Sequence, residues 1–496
     1  MKFQKPADAI LGRLDELRSA DAPTHGGRVL SYVYDSGLAE LDELAARAVR
    51  AVQPVNGLDP TTFTSVATLE REVIGFVRGL VHGDADVVGS VTTGGTESCL
   101  LAVKSARDVW LAARGLEPGE ARPRLVAPTT VHAAFQKAAH YFGLTLDLVP
   151  VGDSGAVEAA AIADRLTDDV ALVVVSAPSY PFAALDPVDE VAPFCAERGI
   201  PLHVDACIGG LVLPFWPGLP AWDFAVPGVT SLSADLHKFG YAPKGVSVLL
   251  QRGRDRQRVQ YFATTRWPGY PVVNSTILGS KSAGPMAAAW AITEALGPEG
   301  FAELAASCLR STQALRAAID GIEGLRVVGD PVGPLIAVSS DPAASAARRV
   351  DPHHWADAVR GSGWVLQLQP GVTQPDGSVL PPTTHLTITP VTESGLGELV
   401  PALVAAADAV RGEPHVDPTP LLAALPPLDG PIDSDTAWAL LQGFGIGRVS
   451  TGSTTESALP DRLAPLLALI EVLPAPLAER LLIELLARLV EPAVGH

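Results

Sequence analysis

Within the stretch Ser233 to Gly245, His237 and Lys238 follow a short run of strand-like residues (Val229 to Ser233) and precede the small, turn-forming Gly240, Ala242, Pro243 and Gly245. A lysine in such surroundings is enclosed, and an enclosed amine can form a Schiff base. Thirty-three residues upstream, Asp205 closes an apolar strand that contains His203 and Val204. Earlier still, Gly94, Gly95 and Thr96 open a helical stretch running from Glu97 to Trp110. Glycines let a phosphate approach the backbone, the helix start offers free N–H groups and the positive end of its dipole, and Thr96 adds a hydroxyl. A carboxylate such as that of Asp205 can face a pyridine nitrogen and keep it protonated, so that the ring accepts electrons. A phosphate cradle, an acid and an amine in this order suit pyridoxal 5′-phosphate (PLP).

Each residue also has an ordinary reading. Asp205 could cap a helix or join an ion pair, Lys238 could be a surface lysine, and His237 could be a core histidine. His132, between Val131 and Ala133, either caps a helix or stacks on a cofactor ring and passes protons. What separates the readings is the combination: phosphate turn, histidine, aspartate and His-Lys pair, in that order along one chain.

The elements that must position these residues are visible in the apolar pattern. From about 90 to 290, helix-like stretches alternate with the apolar runs 125–127, 146–150, 171–175, 202–204 and 246–250, as in a largely parallel sheet covered on both faces. Ligands of such sheets sit at the carboxyl ends of the strands, where Asp205 and His237-Lys238 fall. The expected organisation is an N-terminal helical arm segment (1–64), a large α/β domain (65–299), a smaller C-terminal α/β domain (300–412) and a helical tail (413–496). In the arm, residues 5–20 and 37–52 show helical spacing, and Thr64 or Ser65 is expected to cap the next helix. The small domain has strand-like runs near 325–328, 334–338, 364–368 and 385–389. In the last helix Leu477, Leu481, Leu482, Leu485, Leu486 and Leu489 are expected on one face, with Glu484 and Arg488 paired on the other.

Bulk properties narrow the function. The chain has 496 residues, 47% of them hydrophobic, which is enough for at least two domains. A net charge of −19 argues against nucleic acid or an anionic membrane as partner, although an anionic substrate needs only local positive charge. Cys99, Cys195, Cys207 and Cys308 are too scattered for a disulfide frame or zinc site and are expected as reduced thiols of a cytoplasmic protein, with no metal. No apolar run reaches the length of about 18 residues that a membrane span requires.

The motifs Val91 to Ser98, Val131 to Ala138 with Tyr141 to Gly143, Pro201 to Gly210 and Ser231 to Gly245 resemble those of the PLP-dependent group II decarboxylase family, the glutamate decarboxylase-like group. Within it they are most similar to the sphingosine-1-phosphate lyases, from about Gly27 to about residue 395. The resemblance implies the PLP-dependent transferase fold type I (aspartate aminotransferase-like) and a homodimer with shared active sites. It implies that Gly95, Thr96 and His237 hold the cofactor phosphate, His132 stacks on the ring, Asp205 meets the pyridine nitrogen and Lys238 forms the Schiff base. It further implies that Gly279 and Ser280 reach the phosphate from the other subunit, and that Tyr180 lies near the reacting atoms.

For the substrate, the resemblance implies a phosphate held by Tyr34 and Lys244 together with a histidine of the N-terminal arm. Asp59 stands in that histidine's place, and a carboxylate there would repel phosphate and favour a neutral or cationic substrate end. Three functions stay open at this level. One is a carbon–carbon lyase using retro-aldol chemistry on an amino-bearing substrate, with His132 or Tyr180 as base. The second is an amino-acid α-decarboxylase on the same apparatus. The third is a PLP-binding protein without catalysis. No arginine in these motifs suits the substrate carboxylate of an aminotransferase.

Overall fold

The computed structural model describes residues 4–423, 432–447 and 459–492. Seven short runs build one sheet: β1 (Val87–Thr92), β2 (Arg124–Pro128), β3 (Thr145–Val149), β4 (Val170–Ser176), β5 (Leu202–Asp205), β6 (Val229–Ala234) and β7 (Ser247–Arg252). Their order is β1-β7-β6-β5-β4-β2-β3. β2 to β6 pair in parallel, whereas β7 lies antiparallel to both β6 and β1. Every residue of β4 is buried, as a strand covered on both faces demands. This is fold type I, with a mainly parallel sheet.

The direction of β7 matters for the site. Parallel neighbours need a long crossover, usually a helix, but an antiparallel pair can be joined directly. The chain from Asp235 to Val246 therefore stays at the carboxyl end of β6 instead of crossing the sheet. Thr92, Ser176, Asp205 and Ala234, the last residues of β1, β4, β5 and β6, share that edge.

The small domain is an antiparallel sheet in the order Leu325–Val327, Leu335–Ser340, Thr383–Thr387, Gln367–Gln369. The helices Pro352–Gly361 and Thr392–Val410 pack beside it. Leu30 of the arm is buried in this second core, and Val29 bridges to Val365. The helix Gly284–Asp320 belongs to both cores: Met286 to Cys308 pack into the large one, Leu315 and Ile319 into the small one. It kinks at Gly297, whose φ of 55° is a left-handed value that glycine tolerates, and Pro298 follows.

Several local expectations are corrected. The helix Thr64–Leu80 has Phe63, not Thr64 or Ser65, at its N-cap, and no side chain caps it. Asp59 closes the preceding turn instead, its backbone carbonyl accepting from Phe63 N–H at 3.0 Å. In the last helix, Ala475–Leu489, the leucines do not share one buried face. Ala478, Leu481 and Leu485 are buried, whereas Leu482, Leu486 and Leu489 are exposed. Glu484 lies on the buried side, held by Arg480 at 3.1 Å and Arg488 at 2.7 Å. Six leucines at those positions span more arc than one neighbouring helix can cover, and the neighbour Ser434–Gly443 covers only part of it. All four cysteines are free and buried. Among the described residues no helix is long and apolar enough to cross a membrane.

The small domain depends on Trp355, which is fully buried and donates its indole N–H to Leu403 O at 2.9 Å, tying its two helices together. Trp355→Ala removes the ring's volume and should cost about 3–5 kcal/mol. Urea unfolding followed by circular dichroism should show an earlier transition for Trp355→Ala and a smaller shift for Trp355→Phe.

Candidate active site

The strand ends enclose a cavity of about 850 Å³. Its centre is Lys238, whose ammonium lies 3.0 Å from Asp235 Oδ2, while His237 Nε2 lies 3.5 Å from the same oxygen. Burial opposes the charge on Lys238, but Asp235 outweighs it and holds the amine well above its usual pKa. Burial likewise opposes the charge on Asp235, and Lys238 and His237 hold its carboxyl below the usual range.

The helix Gly95–Ala112 starts against this cluster. Gly94 has φ of 151°, and a Cβ on Gly95 would meet Asp235 Oδ2 at 2.5 Å and Cys207 Sγ at 2.9 Å. Only glycine lets the helix start come so close to the lysine. Glu97 locks the turn: Oε2 accepts from Thr93 N–H at 2.7 Å and from the Thr93 hydroxyl at 2.8 Å. Its other oxygen accepts from Ile277 N–H at 2.8 Å, which pins a distant loop to the cavity mouth.

Asp205 is buried at the end of β5. Cys207 N–H and the Ser233 hydroxyl both bond to its Oδ1, at 3.1 and 3.3 Å, leaving Oδ2 for a ligand. His132 caps a helix and also lies on the cavity wall. Its Nδ1 accepts from Ala134 N–H at 3.1 Å as the cap of the helix Ala133–Phe142. A neutral ring with Nδ1 so engaged carries its proton on Nε2 and presents a donor. Tyr180 stacks on His385, with ring centroids 4.3 Å apart, and its buried hydroxyl has no hydrogen-bond partner. Burial pushes the pKa of Tyr180 up, so it stays a neutral phenol.

At the mouth, Lys244 Nζ sits 4.6 Å over the Tyr34 ring. Burial first, and then the Lys238 ammonium, pull Lys244 down to about 8 even though the side chain still reaches solvent. Tyr34 is raised to about 12, chiefly by burial. Tyr32, Tyr141, Ile277 and Leu278 are exposed around the opening.

Of the residues singled out from sequence, Gly95, Thr96, His132, Tyr180, Asp205, His237, Lys238, Tyr34 and Lys244 all line this one cavity. Asp59, Gly279 and Ser280 do not line the cavity of their own chain. The Asp59 carboxylate is exposed and accepts from Thr61 N–H at 2.9 Å, the Thr61 hydroxyl at 2.6 Å and Thr62 N–H at 3.1 Å. Its charge stabilises a turn, and the phosphate repulsion read from the sequence has no target in the same chain. Asp59 nevertheless shares an edge with the glycine-serine pair, because Asn56 Nδ2 donates to Ser280 Oγ at 3.1 Å and Gly57 N–H to Lys281 O at 2.8 Å.

Asp235 and Glu97 escaped the sequence reading, although both lie inside its motifs. Asp235 was detectable as an acid three residues before a lysine in an otherwise uncharged segment. Glu97 was not, because its partner Ile277 is 180 residues away.

A site built this way, at the carboxyl edge of a fold type I sheet, is that of a PLP-binding protein. The family described as "Pyridoxal-dependent decarboxylase conserved domain" matches residues 55–339, and "Pyridoxal-dependent enzyme, C-terminal putative HTH domain" matches 418–488. The chain belongs to the pyridoxal-dependent decarboxylase family. It is 35% identical to sphingosine-1-phosphate lyase 1 of Rattus norvegicus over 360 residues, which is 72% of this chain and 61% of the rat protein. The chain thus spans about three fifths of that relative's length. A solved sphingosine-1-phosphate lyase of Burkholderia pseudomallei superposes with a TM-score of 0.75 at 32% identity, covering 83% of this chain and 92% of that one. The glutamate decarboxylase of Lactobacillus brevis has a TM-score of 0.72 over 84% of this chain and 96% of its own at 18% identity, a likeness of fold.

PLP is the family's cofactor, and the cavity fits it. His237 Nδ1 is buried without a partner beside the Gly94–Gly95 turn, as a group facing a phosphate would be. Lys238 offers the amine and Asp205 the free carboxylate oxygen. Lys238→Ala should therefore leave PLP-loaded protein without its visible chromophore and without a borohydride-fixed label on the peptide holding position 238. A label that moved to Lys244 with the chromophore intact would show that the wrong lysine had been assigned.

Proposed function

We propose that this protein is a PLP-dependent carbon–carbon lyase that cleaves a phosphorylated β-hydroxy amine, of the sphingosine 1-phosphate kind, into an aldehyde and phosphoethanolamine. The observation that carries this reading is the Tyr34–Lys244 pair at the cavity mouth, a cation and a phenol held together where an anionic substrate end would enter. The sphingosine-1-phosphate lyases among its relatives support it. The exposed Tyr32, Tyr141, Ile277 and Leu278 around the opening suit an aliphatic chain.

PLP, when bound, supplies an aldehyde for the substrate amine and a ring that takes up the electrons of the broken bond. The protein does the rest. Lys238 would hold the cofactor and be the amine that the substrate replaces, and Asp205 would face the pyridine nitrogen through Oδ2. Tyr180, a neutral phenol, would hold the β-oxygen. The freed Lys238 amine would accept the β-hydroxyl proton as the carbon–carbon bond breaks. His132 would lie against the ring, give its Nε2 proton to the α-carbon and regain one from the Lys238 ammonium, so that protons balance. Lys244 and the Tyr34 hydroxyl bind the phosphate. In this reading the molecule works as a homodimer, with the edge formed by Asn56, Asp59, Gly279 and Ser280 reaching the partner's cavity. The net charge of −19 does not oppose an anionic substrate, because the cavity itself gathers Lys137, Lys238 and Lys244.

The deciding experiment is mass spectrometry of products after the PLP-loaded protein meets sphingosine 1-phosphate, shorter phosphorylated amino alcohols, β-hydroxy amino acids and common amino acids. Aldehyde together with phosphoethanolamine is the expected result. An amine one CO₂ lighter than its parent would replace the lyase by an α-decarboxylase, and a chromophore without turnover would leave a PLP-binding protein.

Phosphate capture also has a pH signature. Lys244 loses its charge as pH rises, through about 8 while Lys238 is a free ammonium and higher once Lys238 gives up its charge, so kcat/KM for the phosphorylated substrate should fall on the basic side. On the acid side the substrate phosphate loses its second charge below about 6. Lys244→Arg should carry activity to higher pH, and Lys244→Met should be about tenfold or more weaker and flat across that range. A basic limb unchanged in Lys244→Met would sink this assignment.

A further inference from the structure

Outside the lining of the cavity, where the tail meets the small domain, three side chains from three segments converge. They are His353 in the helix Pro352–Gly361, His415 in the connector, and Glu471 in the helix Ala464–Val472. Each can offer one ligand atom such that all three lie within 4.8 Å of one another. We propose that this cluster is a binding site for a zinc-class divalent ion, which clips the C-terminal helices to the small domain.

The argument rests on what holds the atoms that would not touch the metal. Metal-bound histidines nearly always give their other ring nitrogen to a carboxylate or carbonyl, which fixes the ring. His353 Nε2 is engaged with Gln369 O at 2.8 Å, and its Nδ1 is buried with no partner. His415 Nδ1 is held by Asp351 Oδ2 at 2.7 Å. Asp351 is itself fixed, because its other oxygen accepts from His353 N–H at 3.0 Å and His354 N–H at 2.9 Å. Glu471 Oε1 accepts from Gly371 N–H at 2.9 Å. What remains is His353 Nδ1, His415 Nε2 and Glu471 Oε2, two imidazoles and a carboxylate, a donor set that takes zinc with water in the fourth position. His415 Nε2 and Glu471 Oε2 lie 3.0 Å apart in a direct ion pair, and an ion would enter by replacing the proton between them. His415 is part-exposed, which gives the ion a path in.

A fully buried histidine with an orphaned nitrogen is otherwise costly to keep. Cys99, Asp205 and Cys207 form the other such cluster among the described residues. They lie in the cofactor cavity, where burial keeps the Cys99 thiol protonated, the Cys99 hydrogen bond and then burial keep that of Cys207 protonated, and Asp205 has its own role. That cluster supplies the control.

The test is equilibrium dialysis of tag-free, PLP-loaded full-length protein against Zn²⁺ and, separately, Co²⁺, with metal counted by mass spectrometry. About one ion per chain is expected from three such ligands and one open position. Binding should weaken at least tenfold in Glu471→Gln, which keeps the Gly371 hydrogen bond, and in His353→Gln, but not in Cys99→Ser/Cys207→Ser. Zinc should also raise the midpoint of thermal unfolding in the parent and not in Glu471→Gln. Zinc retained at no more than the Glu471→Gln level by the parent protein would overturn the proposal. So would binding that survives both Glu471→Gln and His353→Gln and disappears with the cysteines.

Discussion

A single buried carboxylate organises the catalytic end of the sheet. Asp235 lies one residue past β6, and its Oδ2 is 3.0 Å from the Lys238 amine and 3.5 Å from His237. Burying two charges is costly unless they meet in good geometry. Here the meeting fixes the lysine at one point of the cavity. The same carboxylate sets what stands opposite. A side chain at position 95 would collide with it, so the helix that starts there begins with glycine and brings its N–H groups next to the lysine. Glu97, one turn on, ties that helix start to the loop carrying Ile277. Phosphate turn, amine and cavity mouth are thus placed by contacts that all lead back to the end of β6.

Much of this was legible in the sequence, because the chemistry demands particular residue types at strand ends. Lys238, Asp205, Gly95 and His132 could be picked out from their types and their order alone. The sheet could be read from its apolar runs, since a doubly covered strand such as β4 has no polar face to disguise it. What could not be read depends on partners distant in the chain. The antiparallel order of the small sheet is set by pairings such as Leu335 with Thr387 and Gln369 with Thr383, and short runs give no direction. The last helix misled for a related reason. Its leucine pattern states how much apolar surface exists, not how much of it the neighbouring helix covers. Asp59 is a different case: within its own chain its carboxylate is engaged with the N–H and O–H groups of Thr61 and Thr62, contacts that the sequence alone did not suggest.

The structure also narrows roles that sequence left equal. His132 was readable as a helix cap or as a catalytic group, and it caps its helix from a position on the cavity wall. Capping through Nδ1 decides the tautomer, and the tautomer decides that the ring faces the cavity with a donor. A local structural contact, worth about 1 kcal/mol as a helix cap, thereby selects the direction in which a proton can move. Tyr180 is constrained in the same sense. Burial keeps it neutral, and its stacking on His385 anchors it to the small domain, so the position of that domain sets the position of the phenol.

The two lysines of the cavity are coupled through the same electrostatics. Lys244 owes part of its lowered pKa to the ammonium of Lys238, and Asp235 pulls it the other way. Neutralising Lys238 removes the first effect and leaves the second, so Lys244 becomes a stronger base when the deeper lysine gives up its charge. A site arranged in this way holds its outer cation most firmly when its inner amine is in use. The effect lies in pH range: with Lys238 neutral the mouth keeps its cation to higher pH, although the cavity then carries one positive charge fewer.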